Sequence, residues 1–361
     1  MTQLTSDELQ HLATGSQFLA CSVDADWLAE AFQRVQMHVA NGLSLPPLIA
    51  ASQLPDDAHT VSVGFVNNGL PPSDLHPVGD EFVRSVRELE AELGVTFAGL
   101  IPLAGANINV IVAVETAMLL GVPVIDADQM GRVFSLLYQS VFTLAGLPAG
   151  PLAATGAAGE SAVVRVSDPL RAERLVRALA GEFGGWSATA LYPMTAGTLR
   201  QHGLHGTLRR NIRIGSILHS DAPLDTRYRR LMTEEGIRRT IHARVTDVTG
   251  LSRPAPPGQP DRPSTVMFEE IGTGKIVQLE IQNELLMLMV DGAVEAVMPD
   301  IITMMDPESE RVASFEDLWV GHRLDLMVLP AAPEWYTDAG LALAGPDAHH
   351  ILLRTRQRRQ P

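Results

Sequence analysis

Two aspartates spaced two apart, Asp126 and Asp128, follow the apolar run Val122–Ile125, and Arg132 stands four residues further on. A carboxylate can take up a proton as a general base, and an arginine fork can hold a carboxylate-bearing ligand. Asn107 and Asn109, in the stretch GANIN, can each donate and accept hydrogen bonds. Cys21, the single cysteine, falls at the junction of two predicted helices, where a helix N-terminus can lower a thiol pKa and make it nucleophilic. Each has a plainer reading. Asp126 or Asp128 can cap the next helix, and a lone cysteine is more often a small buried hydrophobe. His202 and His205 are three apart, which suits a shared metal, but Gly203 and Gly206 weaken that helix and no third ligand is adjacent, so a solvated turn is the better reading. Arg200, Arg209, Arg210, Arg213, Arg227, Arg229 and Arg230 make a basic stretch suited to carboxylate ligands or a subunit interface, or to a solvated helical face paired with acids. No motif supports a metal or a cofactor. PAGPLAATGAAG reads as a loop and lacks the ending of a phosphate cradle.

The elements that must position these residues are legible from periodicity. Thr96–Pro102 reads as a buried strand, Gly105 to Asn109 as turn and cap chemistry, Val110–Leu120 as a helix apolar nearly all round, Gly121 as its stop and Val122–Ile125 as the next strand. The acidic loop then lies past the carboxyl end of a strand, where open α/β sheets bind their ligands. Upstream, Thr5 or Ser6 opens a first helix and Asp24 a second, with Trp27, Leu28, Ala31, Phe32, Val35 and Val39 on its apolar face. Thr60–Val66 alternates as a strand and Val78–Leu93 is an amphipathic helix, giving β-α-β-α-β order and a mainly parallel sheet. Ala162–Val166 and Ser187–Met194 are further strands, with a helix opened by Asp168 and Pro169 between them. Near Ile237 the composition turns β-rich: IHARVTDV, STVMFEEI, KIVQLEIQNELLMLMV and HRLDLMVLP, with the proline-rich RPAPPGQPDRP as an exposed loop and EIGTGK as a hairpin turn. The expected organisation is an α/β domain over 1–236 with the candidate site, a smaller β-rich domain over 237–353, and a disordered basic tail over 354–361.

Length and composition narrow the function classes. A chain of 361 residues has room for two domains, and 46% apolar with 19% charged residues is ordinary for a soluble globular protein. The N-terminus has no basic region of a secretory signal, no apolar run reaches the ~20 residues of a membrane span, and one cysteine fits a reducing cytoplasm. A net charge of −15 argues against nucleic acid and anionic membrane as partners. Lys275 is the only lysine, so a Schiff-base mechanism would rest on it alone.

Four stretches, GANINVIVAVETAMLLGVPVIDADQMGRVF (105–134), GGWSATALYPMTAG (184–197), GTLRRNIRIGS (206–216) and QNELLMLMVDGAVEAVMPDIITMMD (282–306), resemble the family named after S-methyl thiohydantoin desulfurase. The resemblance runs from about Thr14 to Gly345, with PVIDADQMGR its most specific segment. It implies an N-terminal α/β domain, a C-terminal β domain, and hydrolysis of a sulfur-substituted five-membered cyclic amide. Members often lie near, or are joined to, hydantoinase and oxoprolinase proteins, which implies a hydantoinase-like partner; a homo-oligomer is the alternative expectation. Two departures stand out. LACSVDADWL replaces a glycine-rich stretch after the first helix, and PLAGA replaces an acidic residue with paired glycines before Asn107.

The resulting expectation is a hydrolase of a cyclic amide or its S-methyl thio derivative. Asp128, Asp126 and Cys21 are the catalytic candidates, and Asn107, Arg132, Asn109 and Met194 are the substrate contacts. Asp128, nearer Gly131 and Arg132, is expected to face the cleft with Asn107 opposite, and the other aspartate to cap a helix or pair with an arginine. The altered glycine-rich stretch favours instead a non-catalytic small-molecule-binding or regulatory subunit beside a hydantoinase-like protein.

Overall fold

The computed structural model describes residues 3–20, 25–67, 75–248, 264–282, 284–349 and 351. Cys21, the proline-rich segment 253–263 and the tail 354–361 lie outside them. The chain divides into two compact units, Met1–Pro223 and Leu224–Pro361. Among the described residues no helix is long and apolar enough to cross a membrane.

The first unit is α/β. Its elements are α1 (Ser6–Ala20), α2 (Ala25–Ala40), β1 (Leu48–Ile49), β2 (His59–Asn67), α3 (Asp80–Leu93), β3 (Phe97–Pro102), α4 (Ile108–Leu120), β4 (Val124–Ile125), β5 (Ala127–Asp128), α5 (Val141–Leu144), β6 (Leu152–Thr155), β7 (Ser161–Val164), α6 (Pro169–Glu182), β8 (Trp186–Thr195), α7 (Ala196–His202), β9 (Leu204–His205) and α8 (Thr207–Leu218). The main sheet has the order β1-β4-β3-β2-β8-β6-β7. β1, β4, β3 and β2 are parallel neighbours, and β8, β6 and β7 continue the sheet in antiparallel pairs. Five strands therefore point one way, with β8 and β7 opposed.

Local chemistry explains the helices. Thr5 and Glu8 form a capping box at α1: the Glu8 amide donates to Thr5 Oγ1 at 3.1 Å, and the Thr5 amide donates to the Glu8 carboxylate at 2.9 Å. α4 is buried from Ile108 through Met118, as its apolar composition demands. Its one charge, Glu115, is fully buried and held by the Arg34 guanidinium of α2 at 2.8 Å, which offsets the desolvation. Gly121 closes α4 in the left-handed region at φ 71°. Asp168 caps α6, accepting the Leu170 amide at 3.0 Å, with Pro169 in the first turn.

Two helices meet unusually closely. A Cβ on Gly15 of α1 would stand 2.0 Å from the Asn211 carbonyl oxygen of α8, and one on Gly215 would stand 1.9 Å from that of His11. Only glycine permits this backbone-to-backbone crossing.

Two sequence readings are corrected. Leu152–Thr155, inside the stretch read as a loop, is a fully buried strand between β8 and β7. Two flanking strands supply the ladder partners that its small residues cannot specify alone. The segment after β4 is likewise not simply a loop: Ala127–Asp128 pairs antiparallel with Leu204–His205.

The second unit is β-rich. It comprises α9 (Leu224–Glu235), β10 (Arg239–Asp247), β11 (Ser264–Glu270), β12 (Ile276–Ile281), β13 (Leu285–Val290), β14 (Ala293–Val297), β15 (Ile301–Asp306), β16 (Arg311–Val312), β17 (Arg323–Leu329) and α10 (Asp338–Ala344). Its strands form one antiparallel sheet in the order β14-β13-β12-β11-β10-β17-β15-β16. Alternating burial along β10, with Ile241, Ala243 and Val245 inward, gives this sheet one apolar face there.

Candidate active site

Parallel pairing of β3 and β4 brings their carboxyl ends to one edge, and the loops that leave them touch there. A Cβ on Gly105, just after β3, would lie 2.4 Å from Asp128 Oδ2, just after β4. α8 closes the corner: Asn211 Nδ2 donates to the Gly105 carbonyl at 2.8 Å. The corner is therefore built from the β3–α4 loop, the β4–β5 corner, the C-terminal half of α1 and the first turns of α8.

Asn107 sits at the start of α4 with φ 54° and ψ −154°, a region that favours glycine and costs about 1–3 kcal/mol to hold. The surroundings fix it from several sides. Its amide donates to the Ser16 carbonyl at 3.3 Å, and its carbonyl accepts the Ser16 hydroxyl at 2.8 Å. Its Oδ1 accepts both the Asn109 amide at 3.0 Å and Asn109 Nδ2 at 2.9 Å. Asn109 Oδ1 in turn accepts the Phe65 amide of β2 at 2.9 Å, so this pair ties α4 to the sheet.

The two aspartates have different work. Asp126 Oδ1 accepts the amides of Leu208 and Arg209 at 3.0 and 3.2 Å, capping α8, which begins 81 residues further along the chain. Arg209 Nε stands 3.2 Å from its Oδ2. Burial raises its pKa, and the two amides and the guanidinium pull against that rise. Asp128 is fully buried. Its Oδ1 accepts the amides of Met130 at 2.5 Å and Gly131 at 2.6 Å, a local turn that Gly131 completes at φ 69°. Its Oδ2 has no hydrogen-bond partner among the described residues. Burial again pushes the pKa above the ordinary carboxylate range, opposed by the Gly131 and Met130 amides, the Thr207 hydroxyl and the Gly105 amide. A buried carboxylate with one saturated oxygen and one open oxygen keeps the capacity to exchange a proton.

The other candidates are placed as follows. Arg132 is buried, with Nε donating to the Val133 carbonyl at 2.9 Å and its guanidinium 4.8 Å above the Phe134 ring. Met194 pairs with Thr60 at the start of β2, on a strand three places from β4, so the fold does not bring it to the Asp128 corner. His202 ends α7 and His205 lies on β9, its ring 3.1 Å from the Arg200 carbonyl. Among the described residues no group of three His, Cys, Asp or Glu side chains could hold a metal. Within the arginine stretch, Arg200 pairs with Asp56, Arg209 with Asp126, Arg227 with Glu310 and Arg230 with Glu234.

Several site residues escaped the sequence reading. Gln129 is fully buried; its Nε2 donates to the Leu103 carbonyl at 3.0 Å and its Oε1 accepts the Ser140 hydroxyl at 2.9 Å, which braces the segment after Asp128. Ser16, Thr207 and Asn211 were missed too. Asn211 had a visible signal: it interrupts the buried stripe Leu208, Ile214, Gly215, Leu218 of an otherwise amphipathic helix.

The S-Me-THD-like N-terminal domain matches residues 7–166 and the S-Me-THD-like C-terminal domain matches residues 167–354. The chain belongs to the S-Me-THD-like family. Its family boundary at 166/167 falls ahead of α6, within the first compact unit, so the S-Me-THD-like C-terminal segment supplies β8 and α8 to the α/β sheet and site as well as residues 224–354 of the second unit. No curated protein matches the chain. Its fold is similar to a crystal structure of a protein from Chromobacterium violaceum, with a TM-score of 0.76 and 20% identity over 98% of both chains.

Proposed function

We propose that this chain is a hydrolase of a five-membered cyclic amide or its S-methyl thio derivative, with Asp128 as the proton-transfer group. The observation that carries the reading is the half-partnered, fully buried Asp128 carboxylate at the carboxyl edge of parallel strands. Membership of the S-Me-THD-like family supports the substrate class. In the S-methyl case, water adds to the ring carbon that bears sulfur and loses a proton to Asp128. The tetrahedral intermediate then expels methanethiolate, which takes the proton from Asp128 and leaves as methanethiol, and the remaining hydroxyl proton passes to the ring nitrogen, so that the carbon becomes the hydantoin carbonyl. Asp126, by this reading, holds α8 in place and does not exchange the proton.

The test is a panel of hydantoins, thiohydantoins and S-methyl thiohydantoins, read by free thiol release and by ring opening. Turnover of one member that is lost in Asp128→Asn with an unchanged fold supports the reading. Binding without turnover across the panel would replace it with a second one, a non-catalytic binding or regulatory subunit beside a hydantoinase-like partner. That alternative is favoured by the complete burial of Asp128 and the capping commitment of Asp126.

A further inference from the structure

Three polar atoms at the start of α8 are buried and have no hydrogen-bond partner among the described residues: Asp128 Oδ2, Thr207 Oγ1 and Asn211 Oδ1. Asp128 and Asn211 expose no surface at all. Open polar atoms in a protein interior are costly, so each calls for an occupant. They belong to one place. Asp128 Oδ2 lies against Gly105, and the Gly105 carbonyl accepts Asn211 Nδ2 at 2.8 Å. Thr207 and Asn211 are four residues apart on α8 and share a face of it. The Thr207 hydroxyl is near enough to Asp128 to favour its charge, yet the two do not meet hydrogen-bond geometry.

Together the atoms offer a carboxylate oxygen and an amide oxygen, which only accept, and a hydroxyl, which can donate. Water is the complement. It donates to two acceptors and accepts from one donor, and buried waters typically make about three such bonds.

We infer that Asp128, Thr207 and Asn211 bind a single water, and that this water is the nucleophile. The second half of the inference rests on the hydrolase reading above. Thr207 donates to one lone pair and Asn211 accepts one O–H, which leaves the other lone pair aimed outward. As that pair forms the C–O bond, the remaining O–H breaks, its proton passes to Asp128 Oδ2, and the C=N π pair moves to the ring nitrogen. When the C–S bond breaks, methanethiolate departs with the bonding pair and recovers the proton from Asp128, and the remaining hydroxyl proton passes to the ring nitrogen, which leaves the C=O and the ring N–H. Thr207 and Asn211 thus join the site from a helix that Asp126 caps and that α1 supports at Gly15.

Two variants and two readouts test this. Thr207→Val keeps the methyl and drops the hydroxyl; Thr207→Ser keeps the hydroxyl and drops the methyl. A crystal structure of the wild-type chain is expected to show ordered density within hydrogen-bond reach of all three atoms, retained in Thr207→Ser and lost in Thr207→Val. With a turned-over substrate in hand, Thr207→Val should lower kcat by roughly 10- to 100-fold with KM within about threefold, and Thr207→Ser should recover most of it. A direct Asp128–Thr207 hydrogen bond with no density between would overturn the water site. Equal kcat losses in both variants would overturn its catalytic part, because packing alone does not distinguish hydroxyl from methyl in that direction. If no panel member is turned over, the hydrolase reading and the nucleophile role fail together, and the water site is judged on the crystal structures alone.

Discussion

Each unit of this protein buries aspartates, and Asp128 in the first and Asp325 in the second are completed differently. In the second unit Asp325 of β17 faces His242 of β10 across an antiparallel pair. Its Oδ1 lies 2.5 Å from His242 Nδ1, and its Oδ2 accepts the Tyr228 hydroxyl of α9 at 2.9 Å. Both oxygens are occupied, and the Tyr228 pKa is pushed far upward by burial and by the carboxylate beside it. In the first unit Asp128 has two amides on one oxygen and, among the described residues, no hydrogen bond on the other. Burial alone therefore does not mark a functional carboxylate. A saturated one fastens elements together, whereas a half-saturated one keeps capacity for chemistry.

The sharpest way to break that contrast is to remove the charge at each position. Asp128→Asn keeps the shape and the two amide bonds but cannot take a proton, so turnover should fall by ~10²–10⁴ while the far-UV spectrum and cooperative unfolding persist. Full turnover in that variant would make Asp128 a structural residue like Asp325. Next in size is Gly105→Ala. The new Cβ would sit 2.4 Å from Asp128 Oδ2, so either the carboxylate or the loop must move. A stability loss of ~1–3 kcal/mol is expected by denaturant titration, together with a fall in kcat. Unchanged kcat would mean that the position of the carboxylate is unimportant.

Much of this frame could be read from the sequence. β2, β3, α4, α6 and β8 declare themselves because their apolar periods and cap residues agree: Asp168-Pro169 opens α6 and Gly121 ends α4, as local rules require. The parts that were not legible depend on partners far along the chain. Leu152-Ala153-Ala154-Thr155 has no strand signal of its own, and only β8 and β7 make it one. Asp126 was expected to cap a helix or to meet an arginine. It does both at α8, a helix that no local pattern near residue 126 announces. Asn211 points into the site only because α1 and Gly105 are there to meet it.

A smaller effect probes the saturated member of the pair. Tyr228→Phe leaves Asp325 Oδ2 open and should cost ~1–3 kcal/mol in the unfolding of the second unit, with kcat unaltered. A loss of activity as large as that of Asp128→Asn would dissolve the distinction between the two aspartates. The smallest expected effect is a slope. Asp126 and Asp128 both have pKa values raised by folding. Between the ordinary and the raised pKa, the native state binds more protons than the unfolded state. Stability contributed by these groups therefore falls as pH rises from about 4 through that window, and levels off above it. Asp128→Asn should flatten the fall when Tm is followed against pH. A steeper fall in the variant would reverse the sign assigned to Asp128.

The glycine crossing of α1 and α8 has a practical meaning for anyone who handles this protein. Helices whose backbones touch at Gly15 and Gly215 cannot slide independently, so they behave as meshed gears. Ser16 rides on the first of them and clamps the strained Asn107, while Thr207 and Asn211 ride on the second. The opening fifteen-residue helix is therefore machinery and not packaging. An N-terminal trimming that looks harmless on a length map would remove a bearing from the site.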